Sequence, residues 1–265
     1  MIVATPGGKG RQGRQAADAE SGPVYRRIAD ELRTAVTSGE LPDGARLPGE
    51  NTLMERYNVA RATARQALSV LINEGLAIAV RGSGVYVRRF RPLRRHGQAR
   101  LSREMWEAGR AIWEADTKGR VYGPDRVEVA EEQPPGYVSR ALNLRPGERV
   151  CVRRRRYVVD ERPVQLATSY LPAVLAEGTA ITQADSGPGG IYARLAELGH
   201  APAHFTEEIC ARMPAPEEAA DLGLGAGTPV IVVVRTALTA EHTPVEVNEM
   251  VLDGSAYVLQ YDFEA

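Results

Sequence analysis

Between residues 22 and 88, apolar positions recur at the spacing of three short helices followed by a β-hairpin. Pro23 suits the first turn of the first helix, and Gly75 follows the third. β-prone runs on either side of Arg81-Gly82-Ser83-Gly84 indicate the hairpin. The predicted elements are helices over 24–38, 50–57 and 61–73 and strands over 76–80 and 85–87.

Beyond residue 106, strand-like runs dominate, and short helical patterns lie between them. Two pairs of runs, 149–159 with 164–171 and 229–239 with 244–252, are joined by short turns, which favours antiparallel pairing. This half is therefore predicted to be an α+β domain built on an antiparallel sheet. The other predicted elements are strands at 121–129, 205–212 and 256–263 and helices at 137–142, 172–176, 190–199 and 215–222.

Charge divides the chain into two unlike halves, although the formal net charge is only -1. Residues 1–105 hold 18 basic and 10 acidic side chains, against 15 and 24 in residues 106–265. A basic N-terminal half indicates a polyanionic partner. Most of the excess lies in residues 89–105, with six arginines and one acid. The predicted organisation is a disordered tail over 1–21, a first domain over 22–88, a basic linker over 89–105 and a second domain over 106–265.

Several functional classes are excluded by what the sequence lacks. No apolar run approaches the roughly 18–20 residues of a membrane span, and the N-terminus lacks a signal-peptide core. We therefore expect a cytoplasmic protein without membrane contact. His200 and His204 do not form an HExxH pattern, so no metal site is expected. Because no nucleophile, phosphate-loop or dinucleotide motif is present, we also expect no catalytic residues, no cofactor and no enzymatic activity.

The third predicted helix has two contrasting faces. One face carries Ala64, Ala67, Leu68 and Leu71, and the other carries Arg61, Ala62, Arg65, Gln66 and Ser69. A DNA recognition helix requires such a pattern, because Arg pairs with guanine O6/N7 and Gln with adenine N6/N7 in the major groove. A solvated helix face would look the same, so the helix alone leaves both interpretations open.

Four segments of the first domain occur in a specific order: Leu47-Pro48-Gly49-Glu50, Asn58 to Leu68, Glu74-Gly75-Leu76 and Arg81 to Val87. Over residues 24–87 this order resembles the winged helix-turn-helix domain of the GntR family of bacterial transcriptional regulators. The resemblance implies that Arg61, Thr63, Arg65 and Gln66 contact bases or phosphates, and that Arg81 and Gly82 form the wing tip at the minor groove.

The chain departs from the usual family pattern at three positions. Gly49 and Ala60 stand at predicted helix N-caps where the family usually has Ser, and Asn51 replaces a basic residue. Ala at an N-cap is less favourable than Ser by about 0.5–2 kcal/mol. Without a basic side chain at position 51, one DNA contact is lost, so we expect an operator that differs from the usual one.

In the predicted strand over 149–159, four consecutive arginines are divided between the two faces of a sheet. Arg153 and Arg155 share one face with Tyr157, and Arg154 and Arg156 lie on the other. Unpaired buried charge is costly, so one face should be wet or occupied by an anion. A solvated arginine edge is the alternative.

Two further patterns favour a ligand site in the second domain. The loop 185–190 is rich in glycine and leads into a helix, where free backbone N–H groups can bind an anion. Glu246 and Asn248 share one face of an otherwise apolar strand. A plain loop and a surface Glu–Arg pair are the alternatives.

The second domain contains, in this order, the segments Arg162-Pro163-Val164, Thr168 to Pro172, and Gly227 to Val230 followed by Arg235-Thr236. Over about residues 105–262, this order is similar to that of the UTRA effector-binding domain. Regulators with this domain form the HutC-like subfamily of the GntR family. The resemblance implies a chorismate-lyase-like antiparallel sheet, a homodimer, and an effector such as a phosphosugar, a histidine-pathway intermediate or another small anion.

By this resemblance, the effector-binding positions are Arg155, Tyr157, Gly190, Tyr192 and Glu246. Arg155, Tyr192 and Glu246 match the usual phosphosugar-binding residues, whereas Tyr157 replaces an Arg and Gly190 a Ser. Ala167 and Leu252 replace a Glu and a Tyr. These exchanges favour a less charged or more hydrophobic effector.

The combined prediction is a dimeric repressor that binds a pseudo-palindromic double-stranded DNA operator and leaves it when a small-molecule effector binds the second domain. Two alternatives stay open. One is a chorismate-lyase-like enzyme domain fused to a DNA-binding module, and the other is a constitutive DNA-binding dimer without an effector.

Overall fold

The computed structural model describes residues 22–88, 93–97, 99–104, 108 and 120–263. The predicted tail over 1–21 and part of the predicted linker lie outside these residues. The chain divides into two compact units, Met1–Arg89 with Gly225–Gly227, and Phe90–Leu224 with Thr228–Ala265.

The first unit has the three helices and the β-hairpin that the sequence predicts. They are α1 (Val24–Thr37), α2 (Glu50–Tyr57), α3 (Arg61–Asn73), β1 (Ala77–Val80) and β2 (Gly84–Val87). The predicted apolar stripe of α3 is buried and packs with Ile28, Leu32 and Leu53 in one core. Since this stripe points inward, the Arg and Gln positions of α3 face away from the core.

The turn between α2 and α3 depends on Asn58, which ends α2 in the left-handed conformation with φ 50°. Asn tolerates this conformation better than most residues. Gly49 and Ala60 are the N-caps of α2 and α3, as the sequence predicts, and neither makes a side-chain cap hydrogen bond.

The second unit is built on a six-stranded antiparallel sheet. Its elements are β4 (Tyr122–Glu132), α4 (Gly136–Ala141), β5 (Val150–Val159), β6 (Arg162–Pro172), α5 (Ala173–Ala176), α6 (Gly190–Glu197), β7 (His204–Arg212), α7 (Pro216–Leu222), β8 (Val230–Leu238) and β9 (Pro244–Asp253). The strand order in the sheet is β4-β5-β6-β9-β8-β7. Both predicted hairpins are confirmed. At the β5–β6 turn, Asp160 and Glu161 both have positive φ, as a tight two-residue hairpin requires.

The two faces of this sheet are covered differently. Val138 of α4 and Leu222 of α7 pack on the face that carries Val152, Val247 and Val251. The opposite face, called the ligand face below, carries Arg153, Arg155 and Tyr157 of β5 and is covered by residues of α5 and α6. A domain with helices over an antiparallel sheet confirms the predicted α+β class.

A second, smaller sheet lies within the same unit. Strand β3 (Leu93–His96) pairs in parallel with β10 (Tyr257–Gln260). Leu93 and Tyr257 pack with Tyr157 and Leu252, which places this pair against the ligand face. The sequence did not predict β3, which falls inside the segment 89–105 that was interpreted as a linker.

The described helices are all too short or too polar to cross a membrane.

Candidate functional site

The six predicted DNA-binding residues lie on two elements of the first unit. Arg61, Arg65 and Gln66 are exposed along α3, and Thr63 on the same helix is half-buried. Arg81 and Gly82 are exposed at the tip of the β1–β2 hairpin, where Gly82 adopts φ 74°. The structure therefore presents all six on the surface of the helix and the wing.

Glu50, the first residue of α2, contacts both arginines of α3. Its Oε2 accepts from Nε of Arg61 at 2.5 Å, and its Oε1 accepts from Nε of Arg65 at 2.8 Å. These hydrogen bonds from Arg65 and Arg61 lower the pKa of Glu50 to about 2. A carboxylate that the sequence did not single out thus sits between two predicted DNA-binding cations.

Two adjoining cavities open on the ligand face of the second unit. The outer cavity has a volume of about 440 Å³ and lies between β4, β5 and the loop that leads into α6. The inner cavity, of about 50 Å³, lies over the sheet. Arg155, Tyr157 and Tyr192 line both, Gly190 lines the outer one and Glu246 the inner one. The structure therefore brings together all five predicted effector-binding residues, whereas Leu252 packs in the core.

Arg155 is the cation that lies between the two cavities. Its Nη2 donates to Ser169 Oγ on β6, and its guanidinium lies 5.9 Å from the centroid of the Tyr157 ring. A ring face at this distance attracts a cation. Within the described residues, buried Nε of Arg155 has no acceptor. Arg155 thus keeps donor capacity for a ligand.

Tyr192 and Glu246 form a buried pair beside Arg155. The Tyr192 hydroxyl donates to Glu246 Oε2 at 2.7 Å, and the residues are only 2% and 1% exposed. Burial raises the pKa of Tyr192, and the neighbouring Glu246 raises it further, so the hydroxyl stays protonated. Glu246 Oε1 has no donor among the described residues.

Arg153, which the sequence placed on the same face as Arg155, has a different environment. Its guanidinium donates to the carbonyl oxygens of Ile181, Gln183 and Ala184. Burial lowers its pKa. Since these carbonyls precede the loop 185–190, Arg153 holds the wall of the outer cavity, and Arg155 carries the more available charge.

The sequence did not identify Gln165 as a site residue, and it noted Asn248 only as a neighbour of Glu246. Both line the inner cavity. Gln165 is fully buried, and neither its Oε1 nor its Nε2 has a partner in the described part of the chain; the same holds for Asn248 Oδ1. Gln165 alternates with Ala167 and Ser169 along β6, and this period of two was the signal available in the sequence.

A polar row of aligned residues crosses the ligand face from Arg153 through Ser169, Asn248 and Arg235 to Glu207. At its far end, Glu207 accepts from Nε and Nη2 of Arg235, both at 2.9 Å, and from Arg95 of β3 at 2.6 Å. The Tyr261 hydroxyl donates to Glu207 at 2.8 Å.

Glu207 remains ionised in this buried network. Burial alone would raise the pKa of Glu207, but the charges of Arg235 and Arg95 lower it. Arg235 also lines the inner cavity. One carboxylate therefore connects the cavity wall to the strand that begins the second unit.

The described residues contain no group of three His, Cys, Asp or Glu side chains that could hold a metal ion. The ring of His204 stacks on His242 with centroids 4.3 Å apart.

Two family models match the chain. Residues 24–87 match the bacterial regulatory proteins of the gntR family, and residues 117–258 match the UTRA domain. The matches correspond to the helices and wing of the first unit and to the sheet and cavities of the second.

The similarity to known proteins extends over most of the chain. An uncharacterized HTH-type transcriptional regulator from Streptomyces coelicolor is 33% identical over 93% of this chain and 94% of its own. The HTH-type transcriptional repressor NagR of Bacillus subtilis is 26% identical over 89% and 92%. A solved structure assigned to the GntR family is 26% identical and superposes with a TM-score of 0.61 over 92% of this chain and 98% of that one.

Proposed function

This chain belongs to the GntR family of bacterial regulators and carries a UTRA domain, and on that premise we propose that it is a repressor controlled by a small molecule. It is a DNA-binding transcriptional regulator whose second unit is an effector-binding domain. As a homodimer in the cytoplasm, it binds two operator half-sites about one helical turn apart through α3 and the wing. It leaves the operator when an effector occupies the two cavities.

One observation carries the effector proposal: polar atoms of the inner cavity are buried without protein partners in the described part of the chain. They belong to Arg155, Gln165, Glu246 and Asn248. Buried polar groups are nearly always hydrogen-bonded, and each unsatisfied group costs about 1–3 kcal/mol. A ligand that supplies the missing partners would recover this free energy.

The chemistry of these atoms describes the effector. Glu246 Oε1, Asn248 Oδ1 and Gln165 Oε1 are acceptors, so the end of the ligand in the inner cavity carries hydroxyl or amino donors. In the outer cavity, Arg155 and the start of α6 suit an anionic group. Because Arg153 is already bound to carbonyl oxygens, Arg155 supplies a single guanidinium for the anion. One guanidinium fits a carboxylate better than a doubly charged phosphate. We therefore propose a small, hydroxyl- or amino-bearing monoanion.

The Glu207 network supports a route from the effector to the DNA-binding unit. Arg235 lines the inner cavity, and Glu207 joins Arg235 to Arg95 on β3. Four residues separate β3 from Arg88, the last described residue before β3. An effector that shifts Arg235 would act through Glu207 on β3 and so on the segment that connects the units. For this to change operator binding, the effector must bind the operator-bound form and the released form of the protein with different affinity.

We interpret the cavities as binding sites and not as catalytic sites. The relatives are named transcriptional regulators, and Tyr192 and Glu246 hydrogen-bond to each other. Turnover of a candidate aromatic acid by the purified protein would contradict this interpretation.

A thermal-shift screen of small monoanions tests the effector proposal. A true effector at 100 times its Kd stabilises the protein by about 2.7 kcal/mol. We expect this shift in the wild type and in Arg154→Ala, but not in Arg155→Ala. Arg154 is a matched control because it lies on the opposite face of β5 and pairs with Glu132. An equal shift in Arg155→Ala would contradict the proposed site.

A further inference from the structure

Glu50 has a position in the DNA-binding unit that its usual role near a helix start does not explain. It is the first residue of α2, yet its carboxylate contacts α3 and not the backbone of its own helix. Arg61 and Arg65 are one helical turn apart, so their side chains leave the same face of α3. One carboxylate can therefore reach both.

The contacts use one edge of each guanidinium. Glu50 accepts from Nε of Arg61 at 2.5 Å and from Nε of Arg65 at 2.8 Å, and Nη2 of Arg65 lies at 3.4 Å. The arginine side chains remain 66% and 65% exposed, whereas Glu50 is 23% exposed. No other acceptor for the two guanidinium groups occurs among the described residues. Both Nη atoms of Arg61 and Nη1 of Arg65 therefore remain available for an external acceptor.

We propose that Glu50 is a positioning and specificity-determining residue of the DNA interface, which orients Arg61 and Arg65 for base recognition. This inference rests on the proposed role of the two arginines. A free arginine loses much rotamer freedom when it binds, and Glu50 restricts that freedom before DNA arrives. An arginine held by its Nε edge presents its Nη donors to paired acceptors such as guanine O6 and N7.

The charge of Glu50 also weakens sequence-independent binding to DNA, whereas its contacts with the arginines support sequence-specific binding. Two adjacent arginines would attract any phosphate backbone, and this attraction carries no sequence information. With Glu50 ionised, the three side chains have a net charge of only about +1. The pKa of about 2 keeps the carboxylate charged at neutral pH. Glu50 thus lowers non-specific affinity while it supports specific contacts.

The test compares binding to specific and unspecific DNA. Selection from a random duplex library with the wild type defines the operator, and anisotropy titrations then measure Kd for this operator and for a shuffled duplex. We expect Glu50→Gln to bind the operator more weakly and the shuffled duplex at least as tightly, so that discrimination falls by about tenfold. Thermal unfolding of each variant verifies that it is folded.

Two further variants separate geometry from charge. Glu55→Gln removes the same charge from an exposed residue of the same helix that forms no ion pair with any described arginine, and it should leave discrimination unchanged. Glu50→Asp keeps the charge but is too short to hold both arginines, and it should lower discrimination as Glu50→Gln does.

The results that overturn the inference are distinct from those that overturn the proposed function. If Glu50→Gln tightens operator binding as much as shuffled binding, Glu50 only neutralises charge, and the inference is wrong. If Glu50→Gln and Glu55→Gln change discrimination equally, the inference is also wrong. If Arg61→Ala and Arg65→Ala both leave operator affinity unchanged, the proposed role of α3 itself fails.

Discussion

Arginine side chains are used differently in the two units of this regulator. On α3, Arg61 and Arg65 are about two-thirds exposed and share one carboxylate. In the effector domain, Arg153 and Arg235 are 3% and 2% exposed, and their donors go to carbonyl oxygens or to the partly buried Glu207. If Arg61 and Arg65 contact DNA as proposed, the acceptors around an arginine, and not its presence in a motif, distinguish recognition arginines from structural ones.

Arg155 lies between these two extremes. It is on the same strand face as Arg153, but among the described residues its guanidinium has a single hydrogen-bond acceptor, Ser169. It lines both cavities and retains a buried donor. This environment is consistent with the proposed role of Arg155 in effector binding.

The largest effect, a loss of unfolding free energy, is expected for Arg235→Ala, and it tests the comparison between structural and recognition arginines. This change removes a buried cation from Glu207, and breaking a buried pair costs about 3–5 kcal/mol. Arg61→Ala should change the unfolding free energy by less than about 1 kcal/mol, because its ion pair is exposed. Urea denaturation measures both values. Similar losses in the two variants would remove the distinction between structural and recognition arginines.

An effect on DNA binding comes next. Arg65→Ala should weaken operator binding by about 1–3 kcal/mol at fixed salt, since a bidentate base contact contributes that much discrimination. Its effect on folding should be small, as for Arg61. Gel-shift titrations at one salt concentration measure the operator affinity. Unchanged operator affinity would show that an exposed arginine on this helix is only solvated.

The Glu207 network provides a test of the route between the units. Glu207→Gln keeps most of the shape of the side chain but removes the charge shared by Arg235 and Arg95. We expect the effector to bind while its influence on operator affinity, about 1–3 kcal/mol for a typical allosteric protein, is largely lost. Thermal shift reports binding, and anisotropy with operator DNA reports the influence. A full response in Glu207→Gln would exclude this route.

The smallest expected effect concerns pH. The folded-state pKa of Glu50 is about 2, below the value of about 4.3 for an unperturbed glutamate. Because the folded value is the lower one, the contact stabilises the folded state above about pH 4.3, and this stabilisation is lost as the pH falls toward 2. The gap in unfolding free energy between wild type and Glu50→Gln should therefore shrink between about pH 5 and pH 3. A constant gap would contradict the assigned contact.

Local patterns in the sequence were sufficient for most of the fold. The helices of the first unit and both hairpins of the second follow from apolar periodicity and turn residues over short stretches. The pairing of β6 with β9 joins residues about eighty positions apart, from Gln165↔Leu252 to Tyr170↔Val247, and no local signal encodes it. Strand β3 was missed because its sequence, Leu-Arg-Arg-His, has one apolar residue and its partner β10 is distant.

The environment of the charged residues also depends on contacts between distant parts of the chain, which local patterns do not encode. Residues 89–105 hold most of the basic excess that indicated a polyanionic partner, but Arg95 and Arg100 are each 1% exposed, and Arg95 pairs with Glu207. Arg89 and Arg91 lie outside the described residues, and Arg94 is exposed. Composition could not separate these cases, because the acceptor of Arg95 lies more than one hundred positions further along the chain.

The central claim is that effector and operator binding are coupled, and one reciprocal titration tests it most directly. The operator Kd is measured with and without saturating effector, and the effector Kd with and without saturating operator. Linkage requires the two factors to be equal. We predict that each ligand weakens the other by the same factor, about 5- to 150-fold, and that Arg155→Ala abolishes effector binding but not operator binding. An effector Kd that is the same with and without operator would contradict the account.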